Sequence, residues 1–401
     1  VWTYNGGIPG PTIRGNVGDT LIVHFHNCLD EDTTIHWHGL EVPASMDGSH
    51  IAQLPVKPGN CDLSREGDDY FRYEFKLLHA SLFWYHPHQH GDVARQVGAG
   101  LVGAIIVEDA LDDVDRIAAT SERLWVLNDP SSADRTLSGM DQMHGRAGPA
   151  VLVNGVSGPN VEATGGRTER WRIVNASASR PMPFAIDGLT MTLIGTDGGR
   201  LAEPLDVGGI VLVPGERAEV LITPTNPDAT YTVMGDRPLA TLAVQGGEPR
   251  RTTDVPAMLR DSAAFDIGRV TTRRTLRLGA GMSGGMMSGG SMMEFTIDDR
   301  TFDPDRVDIS TTLGEVEEWT IVNDTGMDHP FHLHVWPFQI VDENAWPGWK
   351  DTVNIPGGRQ VTIRIPVVGH SGRSVYHCHL LDHEDIGMMG VIEVADSTAP
   401  T

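Results

Sequence analysis

Four His-X-His pairs dominate the chemistry open to this sequence: His36/His38, His86/His88, His332/His334 and His377/His379. On a β-strand, side chains two residues apart point to the same face, so each pair can present two imidazoles together. One such pair arises easily by chance among seventeen histidines in 401 residues; four do not. Two pairs fall in the first third of the chain and two in the last, while the middle third holds only His144. The simplest arrangement sets the outer thirds face to face, with eight imidazoles converging between them. Imidazole suits Zn, Cu, Fe and Ni, so the pairs alone do not name a metal.

The last pair brackets a cysteine, His377-Cys378-His379. Strand neighbours alternate, so Cys378 must face a different site on the opposite side of the same strand. His383 follows five residues later and Met388 ten residues later. With a further imidazole such as His329, these supply two His, one thiolate and one thioether. That set is the ligand recipe of a blue-copper electron-transfer centre with a weak axial Met. The competing reading is a buried structural cysteine beside surface histidines.

Paired imidazoles need rigid strands to hold them, and the rest of the chain is strand-like. Short runs rich in Val, Ile, Thr and aromatics recur at 20–26, 70–75, 171–174, 218–222, 318–322 and 360–365, bounded by Gly, Pro, Asn and Asp. Long stretches of 3.6-residue periodicity are absent. The pattern predicts an all-β protein of sandwiches or barrels. Segments 20–27, 170–175 and 317–323 each read as a strand ending in Asn, one element repeated three times. Dividing 401 by three leaves about 134 residues per unit, an ordinary domain size. Acidic or glycine-rich connectors at 108–121 and 246–293 mark the joins. The expected organisation is a first unit over 1–110, a second over 115–245, a linker over 246–293 and a third over 294–397. The linker ends in a Met/Gly-rich run, 281–293, with too little bulk at regular spacing to form a core.

Composition narrows the partners. Acidic residues outnumber basic ones 54 to 30, for a net charge of -24, which repels phosphate backbones and argues against a nucleic-acid partner. The longest apolar run, 98–107, falls short of the roughly 18 residues that a membrane helix needs, and reads as a buried strand. The chain opens at Val1-Trp2-Thr3-Tyr4, already strand-like, as expected of a trimmed form whose signal segment is missing. Three cysteines exclude a disulfide scaffold.

The motifs His36-Trp37-His38-Gly39, Trp84-Tyr85-His86-Pro87-His88, His329-Pro330-Phe331-His332-Leu333-His334 and His377-Cys378-His379-Leu380-Leu381-Asp382-His383 resemble the four copper motifs of the multicopper oxidases. The resemblance spans nearly the whole chain, including the middle unit. Within that family the chain looks most like three-domain bacterial laccases and periplasmic copper-efflux oxidases. Gln89-His90-Gly91, Arg95-Gln96 and Glu384-Asp385-Ile386-Gly387-Met388-Met389 are similar to the latter. The resemblance implies three consecutive cupredoxin-like Greek-key domains and four copper ions. It assigns His329, Cys378, His383 and axial Met388 to a type 1 copper, His36 and His332 to a type 2 copper, and His38, His86, His88, His334, His377 and His379 to a type 3 pair. No ligand position is substituted. The implied reaction takes one electron at a time from a substrate at the type 1 site. The electrons pass through Cys378 to His377 and His379, and dioxygen is reduced to water at the trinuclear cluster. A monomer in the periplasm or outside the cell is expected.

Oxygen reduction also needs protons. Asp47, nine residues after His38, and Glu384, beside His383, match acidic positions near the oxygen-reducing site of related oxidases; both could equally be ordinary loop acids. His24 and His26, also two residues apart, lie on a strand beside a polar edge; His50, His79, His144 and His370 lack ligand-like spacing, and the family pattern leaves His90 unmetallated. Cys28 and Cys61, left after Cys378 is assigned, form either a disulfide or two free thiols. The substrate is less legible. Met282, Met286, Met287, Met292, Met293 and Met327 offer soft thioethers suited to cuprous ion, while a flexible linker with incidental Met is the plainer reading. Asp328 could dock a cation or a phenol hydroxyl. Two enzyme readings stand, a cuprous oxidase for copper tolerance and a laccase acting on phenols and aromatic amines, beside a copper-binding protein without turnover.

Overall fold

The computed structural model describes residues 1–109, 121–133, 138–246, 255–283, 292–341 and 348–397. Among these the elements are β-strands joined by turns, with no helix longer than six residues and none long and apolar enough to cross a membrane. The architecture is all-β, in three consecutive sandwich units.

In the first unit a four-stranded sheet runs in the order Ile13–Asn16, Gly103–Glu108, Ser81–His86, His36–His38. It packs against the two-stranded ribbon of Thr20–His26 and Tyr70–Lys76, with Tyr73 and Phe75 of the ribbon meeting Trp37, Phe83 and Tyr85 of the sheet. The Ser81–His86 strand is buried along its whole length, because both faces are covered. Phe83 and Tyr85 point into the unit's own core, while Leu82 and Trp84 point the other way, into a core shared with Val126 and Val174 of the second unit and Leu381 of the third. This shared core fixes the units against one another, and His86 ends the strand at that junction.

The second unit stacks a six-stranded sheet on a five-stranded one around Trp125, Trp171 and Phe184. The third stacks two five-stranded sheets around Trp319, Phe331 and Tyr376. Its Val316–Asn323 strand alternates strictly between half-buried and buried residues, with Trp319 and Ile321 facing in, the period-2 signal expected of a sandwich strand.

One expectation is corrected here. Residues 246–293 are not a linker throughout. The Thr272–Ser283 strand pairs in parallel with Val316–Asn323 and antiparallel with Met292–Ile297, opening the third unit's sheet. Leu276, Leu278, Phe295 and Ile297 enter its core. Interleaved arginines (Arg273, Arg274, Arg277) hide the short Leu276-Arg277-Leu278 alternation in the sequence. Met286 and Met287 lie outside the described residues, as does most of the 108–121 connector.

Cys28 and Cys61 are joined as a disulfide, 33 positions apart. Alkylating the denatured protein without reductant should therefore tag only Cys378, and all three cysteines after reduction. Chain entropy gives such a bridge about 3–4 kcal/mol of stability, so reduction should lower the melting temperature; three reactive thiols before reduction would rule the bridge out.

Candidate metal centre

Strand register decides which imidazoles meet. His36 pairs with His86 across the His36–His38 and Ser81–His86 strands, and His332 with His377 across the His329–Leu333 and Gly372–Cys378 strands. The first and third units then bring these edges together: His36 stacks on His334 and His38 on His332, each with ring centroids 3.8 Å apart. Three groups result whose ligand atoms all lie within 4.8 Å of one another: His36, His38 and His332; His38, His86 and His379; His88, His334 and His377. None of the eight is more than 1% exposed.

The hydrogen bonds sort the ring nitrogens. His36 Nδ1 donates to the Asp47 carbonyl at 2.8 Å, His86 Nδ1 to the Pro87 carbonyl at 2.8 Å, and His332 Nδ1 to the Asp351 carbonyl at 2.7 Å. In each of these the Nε2 has no partner. His38 is reversed: Nε2 donates to Asp351 Oδ1 at 3.0 Å and Nδ1 is unpartnered. His377 Nε2 lies 3.0 Å from His334 Nε2 and 3.3 Å from His88 Nε2, three lone-pair positions converging on one point. Buried polar atoms without partners demand an explanation. Imidazoles anchored through one nitrogen, with the other aimed inward, are built as metal ligands are. Burial, reinforced by the neighbouring imidazoles, holds the pKa values of His38, His86, His88, His332, His334 and His379 well below the ordinary histidine value. The rings are thus kept in the neutral form that ligates metal.

A second site lies on the other face of the Gly372–Cys378 strand. Cys378, fully buried, has its Sγ 3.4 Å from His329 Nδ1 and 3.8 Å from His383 Nδ1. The outer nitrogens are held by Thr325 Oγ1 on His329 Nε2 at 2.9 Å, and by the Met143 carbonyl, which accepts from His383 Nε2 at 3.0 Å. Met388 is fully buried in the same core, and its carbonyl accepts from the Cys378 N–H at 3.0 Å. Burial lowers the pKa of His329 to about 3 and of His383 to about 4, and pushes the Cys378 thiol up. A bare thiolate is therefore disfavoured, whereas a bound cation would deprotonate the thiol outright. Two neutral imidazoles and one thiol, with Met388 in the same core, are a donor set that fits copper.

Both candidate acids reach the His cluster. Asp47 is fully buried; His334 Nδ1 donates to its Oδ2 at 2.9 Å, and its Oδ1 lies 3.2 Å from His36 Nδ1. Glu384, equally buried, sets Oε2 3.0 Å from His377 Nδ1 and Oε1 3.5 Å from His88 Nε2, but neither oxygen is in hydrogen-bonding alignment. His50 and His90 stack on each other at 5.2 Å beside Phe302, outside every group of metal-ligating geometry among the described residues.

Several contacts at these sites had no sequence signal. Asp351 touches both His38 and His332 but lies far from any His-X-His motif. Phe295 stacks on His383 at 3.7 Å, from a strand, Met292–Ile297, that straddles the expected boundary between linker and third unit. Arg146 binds Asp382, the neighbour of His383, through a buried pair at 2.8 Å. Spacing along the chain cannot register contacts made between units.

Family models described as multicopper oxidase match residues 1–112, 125–258 and 280–398. A multicopper oxidase of Staphylococcus haemolyticus is 30% identical, the alignment covering 98% of this chain and 83% of that protein. Among solved structures, a multicopper oxidase of Campylobacter jejuni described as a metallo-oxidase superposes with a TM-score of 0.83 at 30% identity, over 98% of this chain and 86% of that one. A laccase of Pediococcus acidilactici gives 0.84 at 31% identity, over 98% and 85%. These neighbours share the three-domain cupredoxin-like architecture.

Proposed function

Because this chain belongs to the multicopper oxidase family, we propose that it oxidises a reducing substrate one electron at a time at the Cys378 site and reduces dioxygen to water at the histidine cluster. The observation that carries this reading is the cluster itself: three groups of buried imidazoles with unpartnered nitrogens aimed inward, backed by a thiol site on the same strand. His329, Cys378, His383 and Met388 would hold the type 1 copper, His36 and His332 the type 2 copper, and His38, His86, His88, His334, His377 and His379 the type 3 pair, four ions in all. Copper bound there supplies the one-electron chemistry and the binding of dioxygen. The chain supplies the rest. Cys378 is bonded through the backbone to His377 and His379, so the shortest covalent path between the two sites runs through one residue. Asp47, through His36 and His334, and Glu384, beside His377 and His88, stand where they can pass protons to the cluster that reduces oxygen. A copper carrier without turnover would need neither the complete donor set nor two buried carboxylates beside it.

For the substrate we favour cuprous ion over phenols. A cleft of about 160 Å³ beside the Cys378 site is lined by Met143, His144, Met327 and Asp328. Two thioethers with an imidazole and a carboxylate suit a soft cation. Asp328 can equally meet a phenol hydroxyl, which keeps the laccase reading as the alternative. Oxygen uptake by the copper-loaded protein, with cuprous ion and with a methoxyphenol, separates the two. Met327→Leu is expected to lower the ratio of cuprous to phenol efficiency by about tenfold, the size of a lost metal contact; an unchanged ratio would leave phenols as the substrate. The Cys28–Cys61 disulfide supports an oxidising compartment outside the cytoplasm.

A further inference from the structure

Arg217 belongs to the middle unit, which contributes none of the cluster's histidines, yet its fully buried guanidinium reaches the other two units. Nε donates to the Leu82 carbonyl of the first unit at 2.9 Å. Nη1 and Nη2 donate to Asp351 Oδ1 and Oδ2 of the third unit at 2.7 and 2.6 Å, a bidentate fork. Within its own unit it donates to the Gly215 and Asp197 carbonyls, both at 3.0 Å.

Asp351 in turn grips two imidazoles from different units. Its Oδ1 accepts from His38 Nε2 at 3.0 Å and its carbonyl from His332 Nδ1 at 2.7 Å. These are the two rings stacked at 3.8 Å, and both belong to the group with His36. Lys350 completes the cluster of charges, with Nζ 3.0 Å from both Asp197 and Glu216. Burial works against the cations, but the surrounding carboxylates hold the pKa values of Arg217 and Lys350 above their ordinary ones.

The packing is built around this pair. Gly39, at φ +87°, follows His38 directly, and a Cβ there would fall 2.4 Å from Arg217 Nη2 and 2.6 Å from Asp351 Oδ2. Gly215, at φ +91°, lets the middle unit's backbone close on His38, whose Cε1 would lie 2.9 Å from an added Cβ. Buried ion pairs are weak contributors to stability, since desolvation offsets their attraction. Three carboxylates and two cations buried together against two ligand rings serve geometry instead.

We infer that Arg217 and Asp351 are positioning residues: through them the middle unit sets the ring of His332, proposed for the type 2 copper, against that of His38, proposed for the type 3 pair. The inference rests on the copper assignment proposed above. The test uses the full-length, copper-loaded protein and its Asp351→Asn and Arg217→Lys variants. Asn keeps the size of the side chain, and Lys keeps the charge of Arg while losing the fork. Bound copper, the type 2 electron paramagnetic resonance signal and the type 1 thiolate absorption are followed as a chelator is added. The variants are expected to lose the type 2 signal at roughly 10–100-fold lower chelator, the usual effect of removing a group that orients a ligand, with the type 1 absorption unchanged. Type 2 copper held as tightly as in the parent would overturn the inference, and so would joint loss of type 1 and type 2 copper, which marks general unfolding. A parent protein with no type 2 signal would overturn the copper assignment as well.

Discussion

Cys378→Ser should yield a folded protein that retains copper at the histidine cluster but has lost the type 1 ion, its absorption and all turnover with either substrate. Serine is a hard donor with no accessible anion, and it cannot replace the thiolate that His329 and His383 surround. The eight cluster histidines lie apart from the change, because Cys378 faces the opposite side of its strand. The serine hydroxyl is close in size to the thiol, and with His329 and His383 Nδ1 beside it it has partners, so the cost of burying it should stay below the roughly 1–3 kcal/mol of an unsatisfied polar group. Copper content, the thiolate absorption, the type 2 resonance and oxygen uptake, measured on one preparation, check this. A variant that still consumes oxygen with its substrate would show that electrons enter elsewhere.

Asp47→Asn and Glu384→Gln are expected to act on the other half of the reaction. Each amide keeps the shape and an acceptor oxygen, so His334 retains a partner at position 47, but neither can carry a proton at neutral pH. Positioned proton donors contribute about 10²–10⁴-fold to rate, and oxygen reduction should fall within that range. Reduction of the type 1 site by substrate should proceed at the parent rate with copper content intact. Stopped-flow reduction under nitrogen, followed by mixing with oxygen, separates the two halves. Unaltered reoxidation would reduce both acids to structural roles. Loss of copper instead of rate would make Asp47 a positioning group for His36 and His334.

The histidine clusters were legible from sequence because the chemistry proposed for them imposes local spacing. Two imidazoles on one strand face must stand two residues apart, and a cysteine between two of them must face away, so His377-Cys378-His379 encodes two sites in three residues. The all-β architecture was legible from short β-branched runs between turn residues. What lay hidden depends on contacts across the fold. The Thr272–Ser283 strand reads as linker because arginines and the adjoining Met/Gly run mask the two leucines that anchor it. Asp351 carries no motif, and its partner Arg217 lies 134 positions away in another unit. The Cys28–Cys61 pairing was one of two open readings, since two cysteines in one unit bond only where the backbone brings them together. The middle unit, silent in the ligand pattern, contributes Met143, Arg146, Gly215 and Arg217 to the two sites.

The most direct test is the stoichiometry of oxygen consumption by the copper-loaded protein, with substrate equivalents oxidised per dioxygen counted alongside an assay for hydrogen peroxide. Four one-electron equivalents per dioxygen, with no peroxide released, are expected if the histidine cluster completes the reduction to water. Two equivalents per dioxygen, with matching peroxide, would contradict a trinuclear cluster at this site.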